Sequence, residues 1–504
     1  MCDFVRPSPR PSNDSTIFAQ QQEHLQSHLQ ARMDHENKWR RQTVARETIS
    51  YVEADLQHVL EQAPFLRHSQ PGEQVAVFHR SEIITGPRLG QGGFSDVYSV
   101  AGFNLNPFYG QQLEPHQQQL RLHYHRAVAT GEGRFAIKIL QEKLLNNAEK
   151  FKCAASDLAV DAAYMSSLQH QNILPVRGLP IDGLHSFADG RHDGYFIMMD
   201  RLEETLDDRM KHWKNQDVPL QEKLEYALQL ASALQYLHER RIVYRDLKPH
   251  NVGFNSRGQV QLFDFGLCRE LPEGDFDTLY QMSGVGTRRY MATEIINTSH
   301  YNHKADVYAW SMVFWEMLYL DRPFPHYSIE EHQTMVCEAG ERPPLPHGWP
   351  VEIRKLFGQS WTASIKHRLS MQEAGRALQA YLNSLHVRAA PESPIAVYDR
   401  SLLRMENNLV RCNGLPQTPN LQMSHSSVGE MPHHVMSVVS ADAYQQGRPQ
   451  LHQGYNAEAF DSSLLSVHGE GIEVVSDYHS SHYLHQHLPM RSMYTETHRY
   501  DGSI

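Results

Sequence analysis

Between residues 83 and 199 apolar residues come in short, strand-like runs; beyond that they recur every three or four positions. Ile83-Ile84, Val97-Tyr98-Ser99-Val100, Phe135-Ala136-Ile137 and Tyr195-Phe196-Ile197-Met198-Met199 read as strands. Gln221 to His238 and Asp306 to Leu320 read as helices. Strands gathered early and helices late predict an α+β fold with segregated lobes. The most apolar long stretch, Val307 to Leu320, carries Glu316 and is too short to span a bilayer, so it predicts a buried helix.

The pattern fades at both ends. Residues 1–82 begin Pro/Ser-rich and turn Gln/His/Glu-rich, with helical spacing at Leu25, Leu29 and Met33. They predict a disordered start and a marginal helix. From 387 to 504 the chain is Pro, Ser, Gln, Tyr and His with little periodicity, which predicts a disordered tail whose ten histidines between 425 and 498 are solvated rather than metal-bound. Both tails are candidates for partner docking. A formal net charge of -11 argues against nucleic acid. Cys2, Cys153, Cys268, Cys337 and Cys412 form no CxxC or zinc spacing, and the N-terminus has no apolar core of a signal sequence. The expectation is a reduced intracellular protein, cytoplasmic with the nucleus left open, and no membrane association.

Three segments carry chemistry. In Leu89-Gly90-Gln91-Gly92-Gly93-Phe94-Ser95-Asp96-Val97 the glycines lie between two strand-like runs, where backbone N–H groups can face phosphate. A dinucleotide loop would open a helix, whereas here a strand follows. Lys138 sits inside the apolar run Ala136-Ile137-Lys138-Ile139-Leu140, which is costly unless an anion meets it or it snorkels to water from an edge strand. Then come Arg245-Asp246-Leu247-Lys248-Pro249-His250-Asn251 and Asp264-Phe265-Gly266. Phosphoryl transfer needs a carboxylate for the attacking hydroxyl, oxygen ligands for metal ions and a cation beside the transferred group. Asp246, Asn251, Asp264 and Lys248 supply that inventory within 19 residues.

With these motifs in order, residues 83–386 resemble a eukaryotic protein kinase domain of serine/threonine type. The resemblance implies a bilobal fold: a small antiparallel sheet with one long helix, then a larger, mainly helical lobe. It implies ATP and Mg2+ as cofactors, protein substrates, Asp246 as base, and Lys248 beside the transferred phosphate. Asn251 and Asp264 become metal ligands. Residues 89–97, Ala136, Lys138, Asp161, Met199 as gatekeeper, and the hinge from Asp200 to Leu202 surround ATP. Asp306 resembles the helix aspartate that braces the catalytic loop, and Arg368 the partner of Glu294. Lys248-Pro249 and Gly286-Thr287 favour serine/threonine acceptors, with dual specificity open.

Several positions depart from the family. No glutamate lies between Lys150 and Leu184, so the helix partner of Lys138 falls to Asp161, one methylene shorter, with Asp157 a turn earlier as competitor. The expectation is reduced or more tightly gated activity. Ser95 replaces a loop glycine, Tyr244 a histidine, and Gly253 a larger residue, which suggests a roomier nucleotide floor. Residues 101–133 are an insertion, expected as a surface loop. Arg245 resembles a receiver of activation-loop phosphate, with Thr278, Tyr280, Ser283 and Thr287 as regulatory candidates. Glu270, Glu273, Asp275 and Asp277 could supply that charge permanently. The alternative to an active kinase is a pseudokinase scaffold, for which Asp161 is the main support.

Overall fold

The computed structural model describes residues 13–389, and residues 390–504 of the expected tail, with its ten histidines, lie outside them. Helix α1 spans Asn13–Gln62 and α2 Pro64–His68. The helix expected to be marginal is therefore 50 residues long. Its packed stripe is not at Leu29 and Met33, which are exposed, but at Ala45, Thr48, Ile49 and Val52, all buried at i, i+3, i+4 and i+7.

Strands β1 (Ala76–Phe78), β2 (Ile83–Gln91) and β3 (Ser95–Phe103) follow. The insertion after them is folded, not a loop, with α3 at Pro107–Gln111 and α4 at Pro115–Thr130. Pro115 opens α4, and Gly131 at φ +75° closes it in the left-handed region. Arg121, Tyr124 and Ala127 turn inward. Buried Arg121 pairs with buried Glu82 and lies over the Phe78 ring, which fixes the insertion to the sheet.

Next come β4 (Phe135–Leu140), α5 (Ala148–Ser167), β5 (Val176–Pro180) and β6 (Phe196–Asp200). The six strands order β1-β5-β6-β4-β3-β2; all pairings are antiparallel except β1 with β5. Asn147 caps α5, its side chain accepting from Lys150 N.

The second lobe is mainly helical. Short β7 (Glu204–Thr205) leads into α6 (Leu206–Trp213), capped by Thr205, and then α7 (Leu220–Glu239). Paired short strands β8 (Ile242–Val243), β9 (Val252–Phe254), β10 (Val260–Leu262) and β11 (Arg269–Glu270) carry the polar motifs between them. Then β12 (Tyr280–Gln281), α8 (Thr293–Asn297) and β13 (His300–Tyr301) precede α9 (Lys304–Tyr319). From Lys304 to Met317 every residue of α9 is buried, Lys304, Asp306, Ser311 and Glu316 included, as a helix apolar on most of its faces requires. Helices α10 (Ile329–Glu331), α11 (Val351–Ser360) and α12 (Met371–Ala389) complete the lobe. Among the described residues no helix is long and apolar enough to cross a membrane.

Candidate active site

Lys138 lies mid-strand in β4, paired with Val97 on one side and Ile197 on the other. It is not an edge lysine, so its ammonium must be met inside the protein. Asp161 Oδ2 stands 2.6 Å from its Nζ and Asp264 Oδ1 2.8 Å. Asp161 uses its other oxygen, Oδ1, to accept the Phe265 N–H at 2.7 Å. The pair closes despite the missing methylene, and Asp161, not Asp157, is the helix partner. Burial raises the Asp161 carboxyl above its ordinary range even with Lys138 opposing. Burial also disfavours charge on Asp264, but Lys138 outweighs it and holds that carboxyl low. Desolvation works against the Lys138 cation, yet the two aspartates raise its pKa overall. Asp157 is pushed up to about 7 by burial and by Asp264 and Asp55.

Asp306, at the start of α9, accepts the backbone N–H groups of Tyr244 (2.8 Å) and Arg245 (2.9 Å), with His238 Nε2 at 2.9 Å. It holds a loop in which Arg245 has φ +72°, a conformation rare for such a side chain. The result aims Asp246 at three partners. Lys248 Nζ (2.7 Å) and Asn251 Nδ2 (3.1 Å) donate to Oδ2, and Thr287 Oγ1 donates to Oδ1 at 2.8 Å. Gly286, at φ +120°, permits the last contact, since a Cβ there would lie 2.5 Å from the Arg245 carbonyl oxygen. Burial raises the Asp246 pKa against the opposing pull of Lys248 and Thr287.

The glycine segment is the β2–β3 turn, closed by Gly92 N–H donating to the Ser95 carbonyl at 2.7 Å. Gln141, just past β4, donates its amide to Gly92 O (2.9 Å) and Asp96 Oδ1 (3.2 Å). Sequence reading missed this brace because a lone glutamine after a strand carries no periodic signal. Ala136 pairs with Met199, and Asp200 is held by both Nε and Nη2 of Arg177 at 2.8 Å. The roomier floor expected at Gly253 is absent: a Cβ there would lie 2.5 Å from Leu202 Cδ1, so the hinge leucine fills the space.

The protein kinase domain family matches residues 125–378, half of the 504-residue chain. This chain belongs to the protein kinase family. It is 27% identical over 266 residues to the dual specificity protein kinase shkC of Dictyostelium discoideum, covering 51% of each chain. It is 29% identical over 220 residues to the mouse serine/threonine-protein kinase Nek4, covering 44% of this chain and 26% of that one. It is 26% identical over 266 residues to the mouse megakaryocyte-associated tyrosine-protein kinase, covering 51% and 49%. The chain spans about half or less of the length of these relatives, whose names cover all three acceptor classes.

In this member of the family Glu294 meets Arg368 through two bonds of 2.6 and 3.0 Å, both residues buried, so the segment's end is anchored as the motif implied. The acidic stretch before it does not converge on Arg245. Glu270 accepts the N–H groups of Phe65 (2.7 Å) and Leu66 (3.0 Å), and Asp277 pairs with Lys304 at 3.0 Å. Arg245 Nη1 instead reaches Ser283 Oγ and Tyr301 Oη, each at 3.4 Å. Thr278 is exposed, whereas Tyr280 accepts from Arg241 at 3.3 Å.

Proposed function

We propose that this chain is an active kinase that transfers the γ-phosphate of ATP to serine and threonine hydroxyls of proteins. The observation that carries the reading is the closed Lys138–Asp161 pair of 2.6 Å, whose aspartate also holds Phe265 N–H. A scaffold without catalysis was favoured only by the shortened carboxylate, and a pair this tight supports chemistry instead.

In this reading Asp246 orients the attacking hydroxyl and receives its proton; a raised carboxyl pKa suits a base that must take a proton from so weak an acid. Thr287 and Lys248 fix that carboxylate from two sides, and Lys248 lies where the moving phosphoryl needs a cation. Lys138 and residues 89–97 hold the phosphates, while Ala136, Met199, Asp200 and Leu202 line the base. The metal site fits a hard cation. Asn251 gives its amide N–H2 to Asp246, leaving its carbonyl oxygen as acceptor, and the Asp264 side chain remains 42% exposed. When bound there, Mg2+ would neutralise the triphosphate. Gly286-Thr287 and Lys248-Pro249 support serine/threonine acceptors. Residues 83–386 are the proposed kinase domain, the tails its docking segments, and, among the described residues, the absence of a disulfide at Cys153, Cys268 and Cys337 accords with an intracellular site.

Radiolabelled ATP with a generic protein substrate tests the reading, with Asp246→Asn as control. Transfer above that control, on serine or threonine, is expected. No signal above it would overturn the proposal, and phosphotyrosine alone would overturn the acceptor assignment.

A further inference from the structure

Helix α5 carries Asp161 on one face and is gripped on the other. At 3.6 residues per turn, Lys152 lies about 180° round the helix from Asp161 and Ser156 about 140°. These are the positions that α1 engages. Glu47 stands 3.7 Å from Lys152 Nζ, and Ser156 Oγ donates to Asp55, both residues buried. Along the same stretch α1 buries Ala45, Thr48, Ile49 and Val52. On the face away from Asp161, α5 carries small residues, Ala155, Ser156 and Ala159, all buried, and small side chains let helix axes approach.

The segment does not end on α5. Gln62 at the close of α1 accepts from Arg269, and the next helix, α2, has two of its N–H groups held by Glu270. Arg269 and Glu270 form β11, which pairs with β8 immediately before the Asp246 loop. α1 and α2 therefore tie the back of α5 to the base of the activation segment. Asp161 spans the same gap from inside, between Lys138 and Phe265 N–H. The external tie and the internal pair close one circuit.

We propose that α1–α2 is a positioning strap: through Asp55 and Glu270 it holds α5 close enough for an aspartate to do at 161 what the family gives to a longer glutamate. The inference rests on the active-kinase reading. It explains why Asp161 reaches Lys138, and it makes residues 45–66 part of what the reaction requires. The prediction is specific to reach. If the strap is loosened, α5 can recede, and a longer carboxylate at 161 should then recover the pair.

The test uses the full chain. Asp55→Ala and Ser156→Ala each remove the same hydrogen bond, and Glu270→Gln weakens the second tie. Asp161→Glu is placed in the native and the Asp55→Ala backgrounds. Loosening the strap should lower kcat/KM about tenfold, in line with the cost of misplacing a catalytic contact. Asp161→Glu alone should lower kcat/KM, because the longer side chain crowds the closed site, yet should restore at least half of the loss in the Asp55→Ala background. Hydrogen exchange at the Phe265 amide gives a readout independent of turnover. It should quicken in Asp55→Ala, Ser156→Ala and Glu270→Gln, and slow again in the Asp55→Ala/Asp161→Glu double variant. Additive effects of Asp55→Ala and Asp161→Glu on both readouts would overturn the strap. So would unchanged exchange in all three single variants. A native chain no more active than Asp246→Asn, with exchange still coupled, would overturn the kinase reading and keep the strap. If Asp55→Ala fails to fold, Ser156→Ala serves as the loosened background.

Discussion

Gly253 and Glu316 show how single positions set local chemistry. Gly253 has room for no side chain, because Leu202 Cδ1 occupies the place of a Cβ. Gly253→Ala should displace that leucine from the hinge and raise the KM for ATP about threefold to tenfold, roughly 1 kcal/mol, with kcat unchanged. An unaltered KM in steady-state kinetics would mean that Leu202 does not touch the nucleotide. Glu316 is buried, accepts the Tyr290 hydroxyl at 2.7 Å, and is pushed by burial up to about 7 from an ordinary 4.5. A carboxyl whose folded pKa is raised favours folding fully only below its unfolded pKa, and loses that contribution as pH rises through the folded one. Glu316→Gln keeps the acceptor but not the charge. Its melting temperature should match the native protein near pH 4, gain on it up to pH 7 and hold that gain at pH 8. A difference independent of pH would mean that Glu316 ionises normally. Glu316 was visible in the sequence only as a charge in an apolar helix; that it faces Tyr290 depends on the packing of α9.

At the scale of elements, the insertion and the first helix behave alike. Both are polar in composition, and both carry a narrow apolar stripe that this composition masks. Leu120, Tyr124, Ala127 and Val128 repeat helically between Pro115 and Gly131, so the start, stop and inner face of α4 were all legible, though the Gln/His-rich composition pointed to a loop. The buried Arg121–Glu82 pair that docks α4 was not legible, because its partners lie 39 residues apart. Arg121→Ala leaves Glu82 without its cation and should cost about 3 kcal/mol in denaturant unfolding. Combining Arg121→Met with Glu82→Gln should return most of that loss, since an uncharged pair of similar volume removes the unpaired charge. A single variant as stable as the native chain would show that the pair is solvated.

Over the whole molecule, the segment from Asp264 to Glu294 links the lobes to the site. Two of its acidic residues are engaged elsewhere: Glu270 on α2, Asp277 on Lys304. Among the described residues Arg245 has no ion-pair partner, and of the regulatory candidates it is Ser283 whose Oγ it reaches, at 3.4 Å. Phosphatase treatment should therefore lower kcat, and Ser283→Ala should reproduce the loss while Thr278→Ala should not. Full activity after treatment would restore the fixed-charge explanation. The motifs were readable one by one because phosphoryl transfer demands particular groups at short spacings, as from Asp246 to Asp264, and local chain geometry alone nearly places them. Alternation and 3.6 periodicity likewise determined the early strands and the long helices at residues 221–238 and 306–320. What tertiary structure decided were the distances across large sequence separations: Asp161 reaching Lys138 from 23 residues away, Glu270 meeting Leu66 from 204 away, Leu202 filling the space at Gly253. Such contacts depend on how closely packed elements approach. No local pattern encodes that approach, because it is set by the summed shapes of all the side chains between them.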